Sequence, residues 1–130
     1  MQKLQISSNE VKLLDFGFLR VQEESAFKAI LITRGRRSGT EHAVWLRAVY
    51  YNGKIYFSRR NADSDWLKNA KAVPQVKVVF EGKEYDGMAS LVTDTKLAEK
   101  ISELKYPGEE RAHEARIVVE VEINNIEYKK

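Results

Sequence analysis

The chain has 130 residues, 43% of them hydrophobic and 32% charged, enough for one core and too few for two ordinary domains. One domain over residues 1–130 is therefore expected. The absence of cysteine excludes disulfides, thiolate metal sites and cysteine nucleophiles, and 19 acidic residues spread among 22 basic ones, for a formal net charge of +3, imply no continuous polyanion-binding face.

Met1 to Ser8 is polar and every later apolar run is broken by charge, so a cytoplasmic protein without a membrane span is expected. Ser7 and Glu10 have capping-box spacing, and Val11 and Leu14 follow at helical intervals before Gly17, which predicts a short first helix. Ala26 to Thr33 is β-rich and apolar enough for a central strand, and His42 to Tyr51 is its hairpin partner. Asn52-Gly53 is a strong type I′ turn signal, because both central positions of that turn need φ > 0. It leads into a third strand, Lys54 to Ser58.

A helix capped by Asp63 or Ser64 runs to about Ala72 and stops at Val73-Pro74, since the residue before proline avoids the helical region. Val76 to Phe80 and Tyr85 to Val92 make another hairpin, Thr93-Asp94-Thr95 opens a helix to about Lys105, and Ala115 to Ile123 alternates as a final strand. Six or so strands joined by hairpins predict a mainly antiparallel sheet, which closes most simply into a small barrel with two or three short helices. Leu19, Val21, Ile30, Ile32, Val44, Leu46, Val76, Val78, Phe80, Leu91, Ile117, Val119 and Val121 are the expected core.

The tip of the first hairpin, Thr33-Arg34-Gly35-Arg36-Arg37-Ser38-Gly39, combines three arginines with turn glycines. Glycine lets backbone approach a ligand closely, and guanidinium and backbone N–H groups fit phosphate oxygens. Ser58-Arg59-Arg60 ends the third strand just before the helix that carries Trp66. If the two clusters face each other, they bound one pocket for a phosphorylated ligand; otherwise they are solvated turn residues. His113 sits among Glu109, Glu110, Arg111 and Glu114 and reads as a solvated loop histidine, and His42 with His113 matches no metal-ligand spacing.

The order Ile-Leu-Ile-Thr-Arg-Gly-Arg-Arg-Ser-Gly, then Asn-Gly-Lys-Ile-Tyr-Phe-Ser-Arg-Arg, then Asp-Trp-Leu-Lys-Asn-Ala-Lys-Ala-Val-Pro resembles the flavin-binding split β-barrel superfamily. Within it the chain is most similar to the deazaflavin-dependent nitroreductases, followed by the pyridoxamine-phosphate-oxidase-like reductases. That resemblance implies an oxidoreductase that binds FMN or an 8-hydroxy-5-deazaflavin coenzyme and passes hydride to a quinone, nitro compound or enone. It implies that Arg36, Arg37, Ser38, Gly39, Arg59 and Trp66 contact the coenzyme; Thr33, Arg34, Ser58 and Arg60 join them as candidates from the two basic clusters, and His42 either bonds to the coenzyme or caps its strand. It also implies a homodimer that buries Trp45, Tyr50 and Tyr56, and no side chain is required as a catalytic acid because the coenzyme carries the chemistry. The competing reading is a small-barrel binding module that grips a phosphorylated ligand or single-stranded nucleic acid; clustering of arginines at two loops, without a basic stripe along a groove, disfavours nucleic acid.

Overall fold

The computed structural model describes residues 24–124, so the expected first helix and the core positions Leu19 and Val21 lie outside the described residues. Six antiparallel strands, β1 (Ser25–Arg34), β2 (Glu41–Tyr51), β3 (Lys54–Arg59), β4 (Gln75–Phe80), β5 (Lys83–Leu91) and β6 (Ile117–Ile123), close in the order β1-β2-β3-β6-β5-β4. Two α-helices, α1 (Asp65–Ala72) and α2 (Thr95–Lys105), and a 3₁₀ turn at Glu110–His113 complete the described fold. The β2–β3 turn is as its sequence predicts, with φ of 53° at Asn52 and 82° at Gly53. The β4–β5 turn adopts the same left-handed pair at Glu81 and Gly82, although Glu81 is not a residue that favours it. Ser64 stands at the N-cap position of α1 without a side-chain cap bond, its hydroxyl donating instead to the Asn61 carbonyl, and the Asp94 carboxylate accepts from the backbone N–H groups of Lys96 and Leu97 at the start of α2.

The barrel interior holds Ala29, Leu31, Ala48, Tyr50, Ile55, Phe57, Val76, Val78, Tyr85, Val119 and Val121, and α1 plugs it with Trp66, Leu67 and Ala70. Val44, Leu46, Phe80 and Ile117 pack partly buried against this cluster. Outside the barrel, α2 lays Ile101 over Val49, Tyr56 and Val118. Two expectations about the core are corrected here. Ile30 and Ile32 are half-buried on the outer surface, because β1 is apolar on both faces and its parity is set by register, Leu31 opposite Val44 and Val78. Leu91 is exposed where β5 ends beside α1. A third correction concerns assembly: Tyr50 points into the barrel and Tyr56 lies beneath α2, so neither is available to a partner, whereas Trp45 is 67% exposed.

One irregularity in the barrel positions everything that follows. β2 pairs with β1 along nearly its whole length, from Glu41 to Tyr50, but meets β3 only at Val49–Tyr51. The two strands diverge beyond that point, leaving a split lined by Val44 to Arg47 on one side and the end of β3 on the other.

Candidate functional site

Two cavities open along the split. The first, about 550 Å³, is lined by Gly35, Arg36, Arg37, Ser38 and His42 from the hairpin tip, Val44 to Leu46 from β2, Arg59 from β3, and Ser64, Asp65, Trp66 and Asn69 from the start of α1. That volume is within the usual range of a pocket for a small organic ligand, about 300–1,000 Å³. Segments far apart in sequence thus converge on one space: the hairpin tip, the end of β3 and α1.

The tip is built tightly. Gly35 N–H donates to the Thr40 carbonyl at 2.7 Å, Gly39 N–H returns to the Gly35 carbonyl at 2.9 Å, and the Ser38 and Thr40 hydroxyls are 2.7 Å apart. A Cβ at Gly35 would lie 2.6 Å from Ser38 Oγ and 2.9 Å from His42 Nε2, closer than atoms tolerate, so only glycine allows these groups to gather here. Gly39, at φ +76°, occupies the left-handed region that glycine enters without steric cost.

The basic side chains are held differently. Arg36 donates from its backbone N–H and its guanidinium to Asn69 Oδ1, at 3.2 and 2.6 Å, and its other nitrogen lies 3.6 Å from Asp65. Arg59 Nε donates to Ser64 Oγ at 2.8 Å. The first residues of α1 therefore orient one arginine from each cluster. Arg37 faces the same cavity and has no polar partner among the described residues. Trp66 forms an apolar wall against Phe57, with ring centroids 6.5 Å apart, and its buried Nε1–H has no partner among the described residues.

Not every residue expected at the site is brought to it. Thr33 is fully buried inside the barrel, and Arg34 turns back to its own hairpin, donating to the Gly39 carbonyl at 2.8 Å and facing Glu41 at 3.8 Å; both line a separate cavity with Lys77 and Asp86. Strand alternation explains this, since Thr33 points inward and Arg34 outward before the chain turns. Ser58 and Arg60 line the second cavity, where Arg60 pairs with Glu114 at 3.0 Å. His42 and His113 lie on different cavities, and no group of three His, Cys, Asp or Glu among the described residues could hold a metal ion. Gly35 belongs to the predicted tip motif, whereas the sequence reading gave Asn69 and Ser64 no part in the site. Asn69 stood in the quoted helix motif, one turn after Asp65, and that spacing was the available signal.

Thr33 Oγ1 is buried without a partner among the described residues, and burying an unpaired hydroxyl costs about 1–3 kcal/mol. Thr33→Val should therefore raise unfolding free energy by about 1 kcal/mol in urea titrations and leave coenzyme affinity unchanged. A loss of affinity would return Thr33 to the site.

A model of the F420H(2)-dependent quinone reductase family matches residues 20–124. The chain belongs to that family. It is thus an oxidoreductase of the deazaflavin-dependent class, and the reading as a nucleic-acid module is not favoured. Solved structures agree on the fold. An F420-H2-dependent reductase is 23% identical with a TM-score of 0.58, the match covering 80% of this chain and 99% of that one. A proposed pyridoxamine 5′-phosphate oxidase from Listeria innocua is 17% identical with a TM-score of 0.60, over 74% of this chain and 82% of the other. A protein described as a domain-swapped dimer is 24% identical with a TM-score of 0.61, over 73% and 79%. No curated protein matches the chain. Among the described residues, no helix is long and apolar enough to cross a membrane.

Proposed function

We propose that this family member binds the deazaflavin coenzyme F420 in the first cavity and reduces a small electron-poor acceptor, a quinone in the first instance. The observation that carries the reading is the meeting of Arg36, Arg37 and Arg59 with Gly35, Ser38 and Trp66 around one opening in the split. The guanidinium donors there suit the coenzyme phosphate, and Val44, Leu46 and Trp66 supply an apolar wall for a planar ring. The bound reduced coenzyme supplies the hydride, which leaves binding, orientation and electrostatics to the protein. Arg36 and Arg59 are oriented by Asn69 and Ser64; Arg37 is the group that must be ordered by the ligand. His42, 3.4 Å from Thr40 Oγ1, shapes the tip and is not needed as an acid.

FMN carries a similar phosphate, so the test is a direct contrast. Gel filtration after adding each coenzyme should show the deazaflavin absorbance band travelling with the protein, and reduced F420 should then be oxidised by a quinone in a single turnover. Tighter binding of FMN than of F420 would transfer the reading to a flavin reductase, and binding of neither would end it.

The assembly we propose is a homodimer through the outer face of β1, β2 and β4. Register places Trp45 opposite Ile30, and Ile30 opposite Val79, giving a half-exposed apolar patch beside the split with the exposed indole at its edge. Patches of this kind usually mark an interface. Light scattering at low micromolar concentration should give twice the 15.0 kDa chain mass, and Trp45→Asp should give the monomer. A wild-type monomer with and without coenzyme would contradict the interface.

A further inference from the structure

The second cavity, about 810 Å³, continues from the first across Trp45, Leu46 and Arg59, which line both. It is strongly basic. Arg47 comes from β2, Arg59 and Arg60 from the end of β3, Lys105 and Tyr106 from the end of α2, and Arg111 and Arg116 from the connection to β6. The Tyr106 ring is surrounded by cations, with Arg111 at 3.9 Å, Arg116 at 4.7 Å, Lys105 at 5.3 Å and Arg47 at 5.6 Å from its centroid. The nearby carboxylates are already engaged, Glu114 with Arg60 and Arg116 and Glu109 with Arg111.

Lys105 is the anomaly. Its side chain is buried, and its ammonium donates to the Ser58 carbonyl at 3.1 Å and Ser58 Oγ at 3.0 Å, both neutral, and among the described residues it has no carboxylate partner. An ammonium has three donors, so one is left over. A buried cation is ordinarily paired, and here the charges that act on it are those of Arg116, Arg47, Arg59 and Arg111, while Glu114, the carboxylate in the same cavity, pairs with Arg60 and Arg116. We propose that this cavity is a second oxyanion site, in which Lys105, Arg47, Arg59 and Arg111 hold a carboxylate or phosphate of a ligand whose other part occupies the first cavity. The anion belongs either to a second acidic group of the coenzyme or to an acidic acceptor.

Burial, then the Arg116, Arg47, Arg59 and Arg111 charges, push Lys105 down to about 8. The groups facing it are Arg47 from β2, Ser58 and Arg59 from β3, and Tyr106, Arg111, Glu114 and Arg116 around the end of α2. Lys105 is thus charged at pH 7 and neutral at pH 9.5. Because its folded value lies below its unfolded one, the unfolded chain binds more protons between about pH 8 and 10.5, and stability from this group rises with pH across that window. An oxyanion supplies at neutral pH what deprotonation supplies at high pH.

Sulfate tests the site because its charge does not change over this range. Calorimetric titration of the apoprotein at pH 7 should show two sulfates, one lost in the Arg36→Ala/Arg37→Ala double variant and the other weakened at least tenfold in Lys105→Met. The second should also weaken between pH 7 and 9.5 in the wild type and not in Lys105→Met. Methionine fills the buried stem without a charge, so the variant's melting temperature without sulfate should equal or exceed the wild type's. An unchanged sulfate stoichiometry and pH profile in Lys105→Met overturns the site. The source is read separately, and this step alone rests on the proposed reductase reading. A raised dissociation constant for F420 in Lys105→Met assigns the anion to the coenzyme, and a raised KM confined to a carboxylated quinone assigns it to the acceptor; if neither moves, the site has no place in this reaction. Loss of the Lys105 sulfate with no effect of the arginine pair would sink the coenzyme-phosphate assignment and leave the second site standing.

Discussion

Replacing Arg36 and Arg37 together by alanine should lower affinity for F420 by a factor of about 10² to 10⁴. The range follows from charge-assisted bonds worth about 1.5–3 kcal/mol each, with about 1.4 kcal/mol per tenfold change. The single variants should not be equal. Arg36 is already held by Asn69 at 2.6 Å and faces Asp65 at 3.6 Å, so it presents its guanidinium without further ordering. Arg37 has no such partner among the described residues, and its gain on binding is offset by lost side-chain freedom. Arg36→Ala should therefore be nearer a hundredfold and Arg37→Ala nearer tenfold by calorimetric titration. Asn69→Leu should reproduce part of the Arg36 loss while leaving that arginine in place, which separates positioning from direct contact. Unchanged affinity in both single variants and the double would remove the phosphate from this cavity.

Most of the strand plan was legible because its punctuation is local. Asn52-Gly53, Val73-Pro74 and Asp94 act through their own backbones, and the turn, the helix stop and the cap lie where those residues place them. What depended on register was not legible. In Ala29-Ile30-Leu31-Ile32 each residue is apolar, so alternation names no inward side, and pairing with Val44 and Val78 decides for Ala29 and Leu31. The same parity turns Thr33 into the barrel and sends Arg34 back to its own hairpin, although both belong to the basic tip motif. The two arginine clusters met because β2 leaves β3 beyond Val49, a divergence that no residue in either strand announces. Lys105 was invisible for a related reason: a lysine in the last turn of a helix is ordinarily explained by the helix dipole, and its burial among arginines comes from the packing of the end of α2 on the end of β3.

Phe57→Ala should cost about 3–5 kcal/mol of unfolding free energy, a large share of the 5–15 kcal/mol typical of a domain. Phe57 is fully buried on β3 and meets the Trp66 ring edge-on at 67°. Truncation leaves a cavity beneath the first turn of α1, whereas Phe57→Leu keeps much of the volume and should cost about 1 kcal/mol. The interest of the position is that it touches the site only through α1. Trp66 lies in the first turn of that helix, and Asn69, one turn into it, and Ser64, at its N-terminus, orient Arg36 and Arg59 respectively. A helix seated less firmly holds both guanidinium groups less firmly, so Phe57→Ala should also weaken F420 binding, although Phe57 is not among the residues lining the cavity. Urea denaturation and coenzyme titration of the same variant read the two effects, and in a double-mutant cycle with Trp66→Ala the pair should couple by about 0.5–1.5 kcal/mol. A full stability loss with wild-type affinity would show that the hairpin tip holds its arginines without help from α1.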